Sequence, residues 1–209
     1  RGTVIINASA SSDVRQVLFE YSNNSGSGWQ PIGIDFSPSV GWTFAWYTVA
    51  LNDASTYRVR ANATDYAGLS AIGQNTADFT IDNTVPSLTI TAPSPGSFVS
   101  GTVNITFTGN SSLTSELSID GAGWANITNS TTYAWNTTAY NDGTHTLQVR
   151  NNDSVGNTGL SSIVAVIVDN TRPTVVIISP LSNTTVKGNV TVLVSAYFDT
   201  SRLDFYVDN

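Results

Sequence analysis

One phrase occurs twice. Asp82-Asn83-Thr84-Val85-Pro86 returns as Asp169-Asn170-Thr171-Arg172-Pro173, 87 residues further on. Each copy leads into an alternating apolar run and then a Gly-led strand, Gly101-Thr102-Val103-Asn104-Ile105 and Gly188-Asn189-Val190-Thr191-Val192, again 87 residues apart. Self-similarity at a fixed period is the signature of an array of one supersecondary unit, and it constrains the fold more than any composition value. The matches extend outward from the phrase. Gly28-Trp29 answers Gly123-Trp124, Ala45-Trp46 answers Ala134-Trp135, and Asp65-Tyr66-Ala67-Gly68 answers Asp153-Ser154-Val155-Gly156. Gly2-Thr3-Val4-Ile5-Ile6 answers Gly101–Ile105 at 99 residues, so the first copy has longer loops between Ser22 and Thr43.

The matches imply a division into residues 1–83, a unit lacking its first strand, residues 84–170, a complete unit, and residues 171–209, first strands only. The chain reads as a window on a longer array. A stub of 39 residues has too little core to stand alone.

Within each copy, period-two alternation dominates. Val103, Ile105 and Phe107 alternate with polar residues, as do Tyr57, Val59 and Ala61, Leu147 and Val149, and Val190, Val192 and Val194. Turn signals separate the runs: Asn24-Ser25-Gly26, Asp120-Gly121 and Asn141-Asp142-Gly143. No stretch has a helical period. About seven short strands per unit with regular turns point to an all-β chain of tandem Ig-like antiparallel β-sandwiches. The Asp-Asn-Thr-x-Pro junction, the Gly-Thr-Val strand opening, the Ala-Trp pair and Asp153-x-x-Gly156-Asn157 resemble bacterial and archaeal Ig-like repeats of secreted and cell-surface proteins. That resemblance covers the whole chain. It implies a sandwich fold and leaves open which of several roles the module serves: adhesin, surface layer, filament or spacer.

Composition narrows the partners. Charged residues make up 11% and the net charge is −7, with Lys187 the sole lysine. Nucleic acid is excluded, because phosphate binding needs clustered cations. Cysteine is absent, so neither a disulfide framework nor a thiolate metal site forms. The longest apolar run, Ile163–Val168, is far shorter than a membrane span.

Asn-x-Ser/Thr sequons are the strongest functional signal. They begin at Asn7, Asn23, Asn62, Asn104, Asn110, Asn126, Asn129, Asn136, Asn152, Asn183 and Asn189. Eleven occur, against roughly five expected by chance from twenty asparagines in a chain about one quarter Ser and Thr. Asn62 and Asn104 fall on the outward phase of their strands, and covalent N-glycans would supply the solubility that charge does not.

His145, the sole histidine, aligns with Tyr57 in a segment that resembles the tyrosine corner of Ig sandwiches, so a structural role is expected. Asp65, Asp153, Asp82 and Asp169 sit at loop positions near unit ends. Calcium there would need several converging carboxylates, whereas turn chemistry explains each acid singly. Trp46 and Trp135 are expected in the core. Trp29 and Trp124 are expected to be exposed near hairpin tips, with a sugar-stacking platform there as the minor alternative, and the loop from Phe36 to Trp42 is a plausible contact surface. No catalytic constellation is present; the pair Asp199 and Asp204 lies in the stub. No metal signature, cofactor site or enzyme activity is expected. The expected role is an extracellular structural rod or filament that self-associates, with Thr174–Ile178 a strand that another copy's first unit would accept. An adhesin arm, a carbohydrate-binding appendage and a spacer of a secreted enzyme are the alternatives.

Overall fold

The computed structural model describes residues 2–37, 41–109, 114–127, 130–197 and 200–207. These residues are all-β apart from one 3-10 turn at Thr137–Ala139. Seven strands come first: β1 (Thr3–Ala8), β2 (Val14–Ser22), β3 (Gln30–Asp35), β4 (Trp42–Tyr47), β5 (Ala54–Asp65), β6 (Ser70–Gln74) and β7 (Phe79–Ile81). Nine follow: β8 (Thr89–Ala92), β9 (Phe98–Val99), β10 (Thr102–Thr108), β11 (Thr114–Ile119), β12 (Ala125–Asn126), β13 (Thr132–Asn136), β14 (Gly143–Asn152), β15 (Thr158–Leu160) and β16 (Val164–Val168). The last two are β17 (Val175–Ser179) and β18 (Leu193–Ala196).

The first group forms a β1-β4 sheet facing a β3-β2-β5-β6 sheet, with β7 also on β5. The second forms a β13-β10-β8 sheet facing a β12-β11-β14-β16-β9 sheet. The alternation read from sequence explains both layers. Ile105 and Phe107 of β10 point inward with Trp135 of β13, and meet Leu117, Leu147, Val149 and Val166 of the other sheet. In the first group Val17, Phe19 and Trp42 make one cluster, and Trp46, Tyr57 and Ile81 a second. Pairing is antiparallel throughout with one exception: β9 runs parallel to β16. Asp120 and Gly121 take positive φ of 54° and 68°, the two left-handed positions that a tight hairpin between β11 and β12 requires.

β17 and β18 pair with each other alone. Here the sequence expectation needs correction. Val190 and Val192 lie outside any strand and are exposed, because among the described residues no second layer covers this sheet. Alternation defines an inner face only when something packs on it.

The tyrosine corner forms in the first group: the Tyr57 hydroxyl donates to the Asn52 carbonyl at 2.8 Å. His145 makes the same closure with other chemistry. Its Nε2 lies 2.8 Å from the Asn141 carbonyl and its Nδ1 2.6 Å from Asp120 Oδ2. Trp135 and Tyr140 pack edge-on around the ring. The Asp120 hydrogen bond, then the Asn141 carbonyl, raise the His145 pKa against the opposing effect of burial. Asp120 is lowered: its own desolvation opposes the shift, and the hydrogen bonds from His145 and the Thr146 amide outweigh it. Both ring nitrogens donate only in the protonated form. This His145 contribution to stability is complete below about pH 6.5, the unfolded value, and is lost as pH rises through the raised folded value. Asp120 adds a second edge, losing its contribution as pH falls through its lowered value. Urea unfolding followed by tryptophan fluorescence should therefore give a lower midpoint at pH 9 than at pH 6, and His145→Tyr should flatten that alkaline loss.

Candidate functional site

The repeated phrase is where the two sandwiches meet, and its side chains do most of the joining. Asn83 leaves β7 and donates from Nδ2 to the Thr48 and Leu51 carbonyls at 2.8 and 3.1 Å. Its amide, and the amide and hydroxyl of Thr84, converge on the carboxylate of Asp53. The second phrase repeats the pattern. Asn170 Nδ2 donates to the Thr137 carbonyl at 3.1 Å, its amide donates to Asp142 Oδ1 at 2.7 Å, and the Thr171 hydroxyl donates to Asp142 Oδ2. Asn170 Oδ1 accepts from the Gly101 amide and the Thr137 hydroxyl, both at 3.1 Å. The Thr84 hydroxyl first, then the Asn83 amide, hold Asp53 below the usual carboxylate range; Thr171 and Asn170 do the same to Asp142.

The phrase is also gripped from the following sandwich. Asn157, fully buried, donates from Nδ2 to the Asp82 carbonyl at 3.1 Å and to Asp153 Oδ2 at 2.6 Å. Asp153 Oδ1 accepts from the Val155 and Asn157 amides. At Gly159 the chain touches the linker itself: a Cβ there would collide with the Pro86 carbonyl oxygen, so only glycine fits.

Of the acids placed here from sequence, Asp82 and Asp169 accept from the amides of Thr84 and Thr171, two residues on, and Asp65 accepts from Leu69 N at 2.8 Å. These are turn-forming bonds. Among the described residues no group of three or more His, Cys, Asp or Glu is placed to hold a metal ion. From sequence, Asn157 reads only as part of a family motif and Asp142 only as part of a turn, and neither they nor Asp53 carry a role at the junction. The signal that finds Asp53 and Asp142 is positional: each lies four or three residues before the corner Tyr57 or His145.

The two hairpin tryptophans carry a correction. Trp29 and Trp124 are half-buried, and the guanidinium groups of Arg60 and Arg150 cover their rings at 4.5 and 4.4 Å. Each arginine is held in turn by a carboxylate directly across the ladder, Glu20 and Glu116, both at 2.6 Å. A ring face so occupied is not open for a sugar. Trp42, expected in a contact loop, is instead core, while Phe36 is exposed; residues 38–40 lie outside the described residues. Trp46 and Trp135 are buried, 5% and 1% exposed. Asp204 pairs with Arg202 at 2.9 Å, and Asp199 lies outside the described residues.

Among the sequons, Asn7, Asn23, Asn104, Asn126, Asn183 and Asn189 are exposed. Asn136 is exposed too, with Oδ1 accepting from the amide and hydroxyl of Thr138, its own sequon threonine. Asn152 is half-buried and accepts from the Thr158 hydroxyl at 2.6 Å. Asn62 is half-buried with its Oδ1 enclosed. Asn110 and Asn129 lie outside the described residues.

The junction is a stability element as well as a connector. Asn170→Ala removes a donor and an acceptor from a closed network: the Gly101 amide loses its acceptor, and the carbonyl and hydroxyl of buried Thr137 each lose one of two bonds. It should cost about 1–3 kcal/mol in chemical denaturation.

A bacterial Ig domain family matches residues 86–149, and a bacterial Ig-like domain family of group 3 matches residues 129–204. No curated protein matches the sequence. Among solved structures, the fibronectin(III)-like modules of Clostridium thermocellum CbhA are similar at 19% identity, over 81% of this chain and 85% of theirs, with a TM-score of 0.41. A tetra-tandem repeat in the extending region of a large adhesion protein is similar at 14% identity, over 81% of this chain and 50% of that one, TM-score 0.35. A 1.5-MDa bacterial ice-binding adhesin is similar at 17% identity, over 85% of this chain and 63% of that one, TM-score 0.41. Ig-like families of this kind are typically non-catalytic modules, and no helix among the described residues is long and apolar enough to cross a membrane. The repeated phrase, tyrosine corner and facing sheets agree with those matches, which place bacterial Ig-like domains within residues 86–204.

Proposed function

We propose that this chain is a stretch of an extracellular structural array, a rod of N-glycosylated Ig-like repeats that associates with further copies of itself in a filament or surface layer. The repeat units are residues 1–83, 84–170 and 171–209. The observation that carries this reading is the junction. Asp53 and Asn83 fasten the phrase to the sandwich before it, and Asn157 and Gly159 fasten it to the sandwich after it. A linker bonded on both sides transmits force and orientation. A Gly/Ser tether does neither. Repeats joined in this way extend as a rod whose length scales with copy number.

The surface supports the glycan part. Seven sequon asparagines among the described residues are exposed, and 11% charge leaves little ionic hydration to keep such an array dispersed. A binding appendage remains the second reading, favoured by exposed Phe36; the Arg-covered tryptophans remove its most direct sugar platform. The same rod would also serve an adhesin arm or an enzyme spacer.

Two measurements test the proposal. Small-angle scattering of the chain should fit one fixed arrangement of the first two sandwiches, and Asn157→Ala should broaden it into an ensemble. A native chain that already scatters as an ensemble would overturn the rod. Glycopeptide mass spectrometry of native material should find hexose-bearing asparagines among Asn7, Asn23, Asn104, Asn126, Asn183 and Asn189; unmodified peptides at all six would remove the glycan coat.

A further inference from the structure

The two repeats differ on the outward side of one sheet. β1 with β4 in the first sandwich, and β10 with β13 in the second, pair in the same register. Thr3 stands opposite Tyr47 and Ile5 opposite Ala45, as Thr102 stands opposite Asn136 and Asn104 opposite Ala134. The sequence matches give the same equivalences, Gly2–Ile6 with Gly101–Ile105 and Ala45-Trp46-Tyr47 with Ala134-Trp135-Asn136. Asn104 and Asn136 are exposed, and each begins a sequon. Their counterparts are Ile5 and Tyr47, 58% and 70% exposed. Where the second repeat presents two glycan acceptors, the first presents an aliphatic and an aromatic side chain. A strand alongside does not cover this position, since Asn104 is exposed with β8 paired to β10.

Ile5 and Tyr47 form one patch. They are diagonal neighbours across the ladder, Tyr47 lying two residues beyond Ala45, and at that spacing an aromatic side chain reaches its neighbour. Ala45 between them adds no bulk. Thr3 and Thr43 flank the patch, and none of the outward residues of β1 and β4 is charged. The ion pair of this sandwich that bridges two strands, Glu20 with Arg60, lies on the opposite sheet. A lone exposed apolar side chain needs no explanation. Here two adjoin, and a sequon shares their face. Asn7 is exposed, two residues from Ile5 and opposite Thr43, and Asn7-Ala8-Ser9 is a sequon. Side chains two apart on a strand point to the same side. A sugar on Asn7 therefore begins beside Ile5. Tyr47, four residues beyond Thr43, lies about 14 Å further along the strands, within the span of a short oligosaccharide.

We propose that this face is a sugar-stacking platform, and that its occupant is the N-linked glycan of Asn7 on the same chain, folded back over Ile5 and Tyr47. The proposal rests on the reading of the surface as glycosylated. A pyranose ring has an apolar C–H face and a rim of hydroxyls. The C–H face packs on Ile5 and on the Tyr47 ring, while the sugar hydroxyls meet those of Thr3, Thr43 and Tyr47. No charged group on the face has to be desolvated as the sugar settles. The covalent link makes the contact intramolecular, so the high effective concentration compensates for weak intrinsic affinity. Both repeats then carry sugar on the same side. In the second it is anchored at Asn104 and Asn136, and in the first it is anchored at Asn7 and laid over the equivalent positions.

The test is a double-mutant cycle on chain made in the source that glycosylates it: native, Asn7→Gln, Tyr47→Thr and both together, read by urea unfolding with tryptophan fluorescence. Glycopeptide mass spectrometry of the native chain should find sugar on Asn7. Asn7→Gln should lower the urea midpoint. Tyr47→Thr should lower it in the glycosylated chain and leave it unchanged in the Asn7→Gln background, and Tyr47→Phe, which keeps the ring, should retain the coupling. A Tyr47→Thr shift of equal size with and without the glycan overturns the platform while leaving the glycan coat standing. Unmodified Asn7 in a chain that carries sugar on Asn104 overturns the proposed occupant and likewise spares the coat. Unmodified peptides at every sequon overturn the platform and the glycosylated reading together.

Discussion

A carboxylate that receives the end of a strand organises this molecule. Asp53 and Asp142 each stand just before the corner residue and take hydrogen bonds from the second and third residues after the sandwich's final strand. The last strand must otherwise leave its sheet with unsatisfied amides. Closing it on a fixed acid sets the direction in which the chain departs. The asparagine beside it then fills the corner, reaching the carbonyl of buried Thr48 or Thr137. The threonine hydroxyl at that corner returns to the opening strand, Thr48 to the Gly2 carbonyl and Thr137 to that of Gly101. One network therefore ties the beginning, middle and end of each repeat, and the next repeat inherits its orientation from it.

Few charges are present, and several are spent on internal order. Arg60 and Arg150 each bridge a carboxylate on the neighbouring strand and a tryptophan at the hairpin tip. Such a pair, partly shielded and flat against an indole, is worth more than an exposed ion pair because the ring excludes water from one face of the guanidinium. It locks hairpin to sheet in each repeat. Arg58 and Asp78 fasten β5 near its start in a similar way, with Ser25 as the other donor to the acid.

What the sequence made legible was local or periodic. The phrase, the strand alternation, the Asp120-Gly121 turn and the Tyr57/His145 correspondence all lie within a few residues or at one repeat spacing. The parts that escaped depend on register. Arg60 lies forty residues from Glu20, and Arg150 thirty-four from Glu116. Neither pairing, nor the covering of Trp29 and Trp124, is visible until the strands are aligned. Asp53 and Asn83 are thirty apart, and each alone reads as an ordinary turn residue. Asn157 is opaque for the same reason: a buried asparagine bound to a neighbour's carbonyl has the sequence of a loop. Val190 and Val192 failed in the opposite sense. Their alternation is real, but no described layer faces it.

Equivalence by ladder and equivalence by sequence alignment diverge at one place, and the divergence is informative. Counting from the turn, Asp65, Gly68 and Leu69 match Asp153, Gly156 and Asn157. Counting along the ladder from the arginines, Gly73 and not Ala71 matches Gly159. The hairpin between β5 and β6 is therefore two residues longer on each strand than that between β14 and β15. The extension lifts Leu69 away from the position that Asn157 takes, and leaves it 72% exposed. The two repeats thus share the Cβ-free step but differ at the turn: a buried asparagine clamps the linker in the second, and an exposed leucine stands in its place in the first.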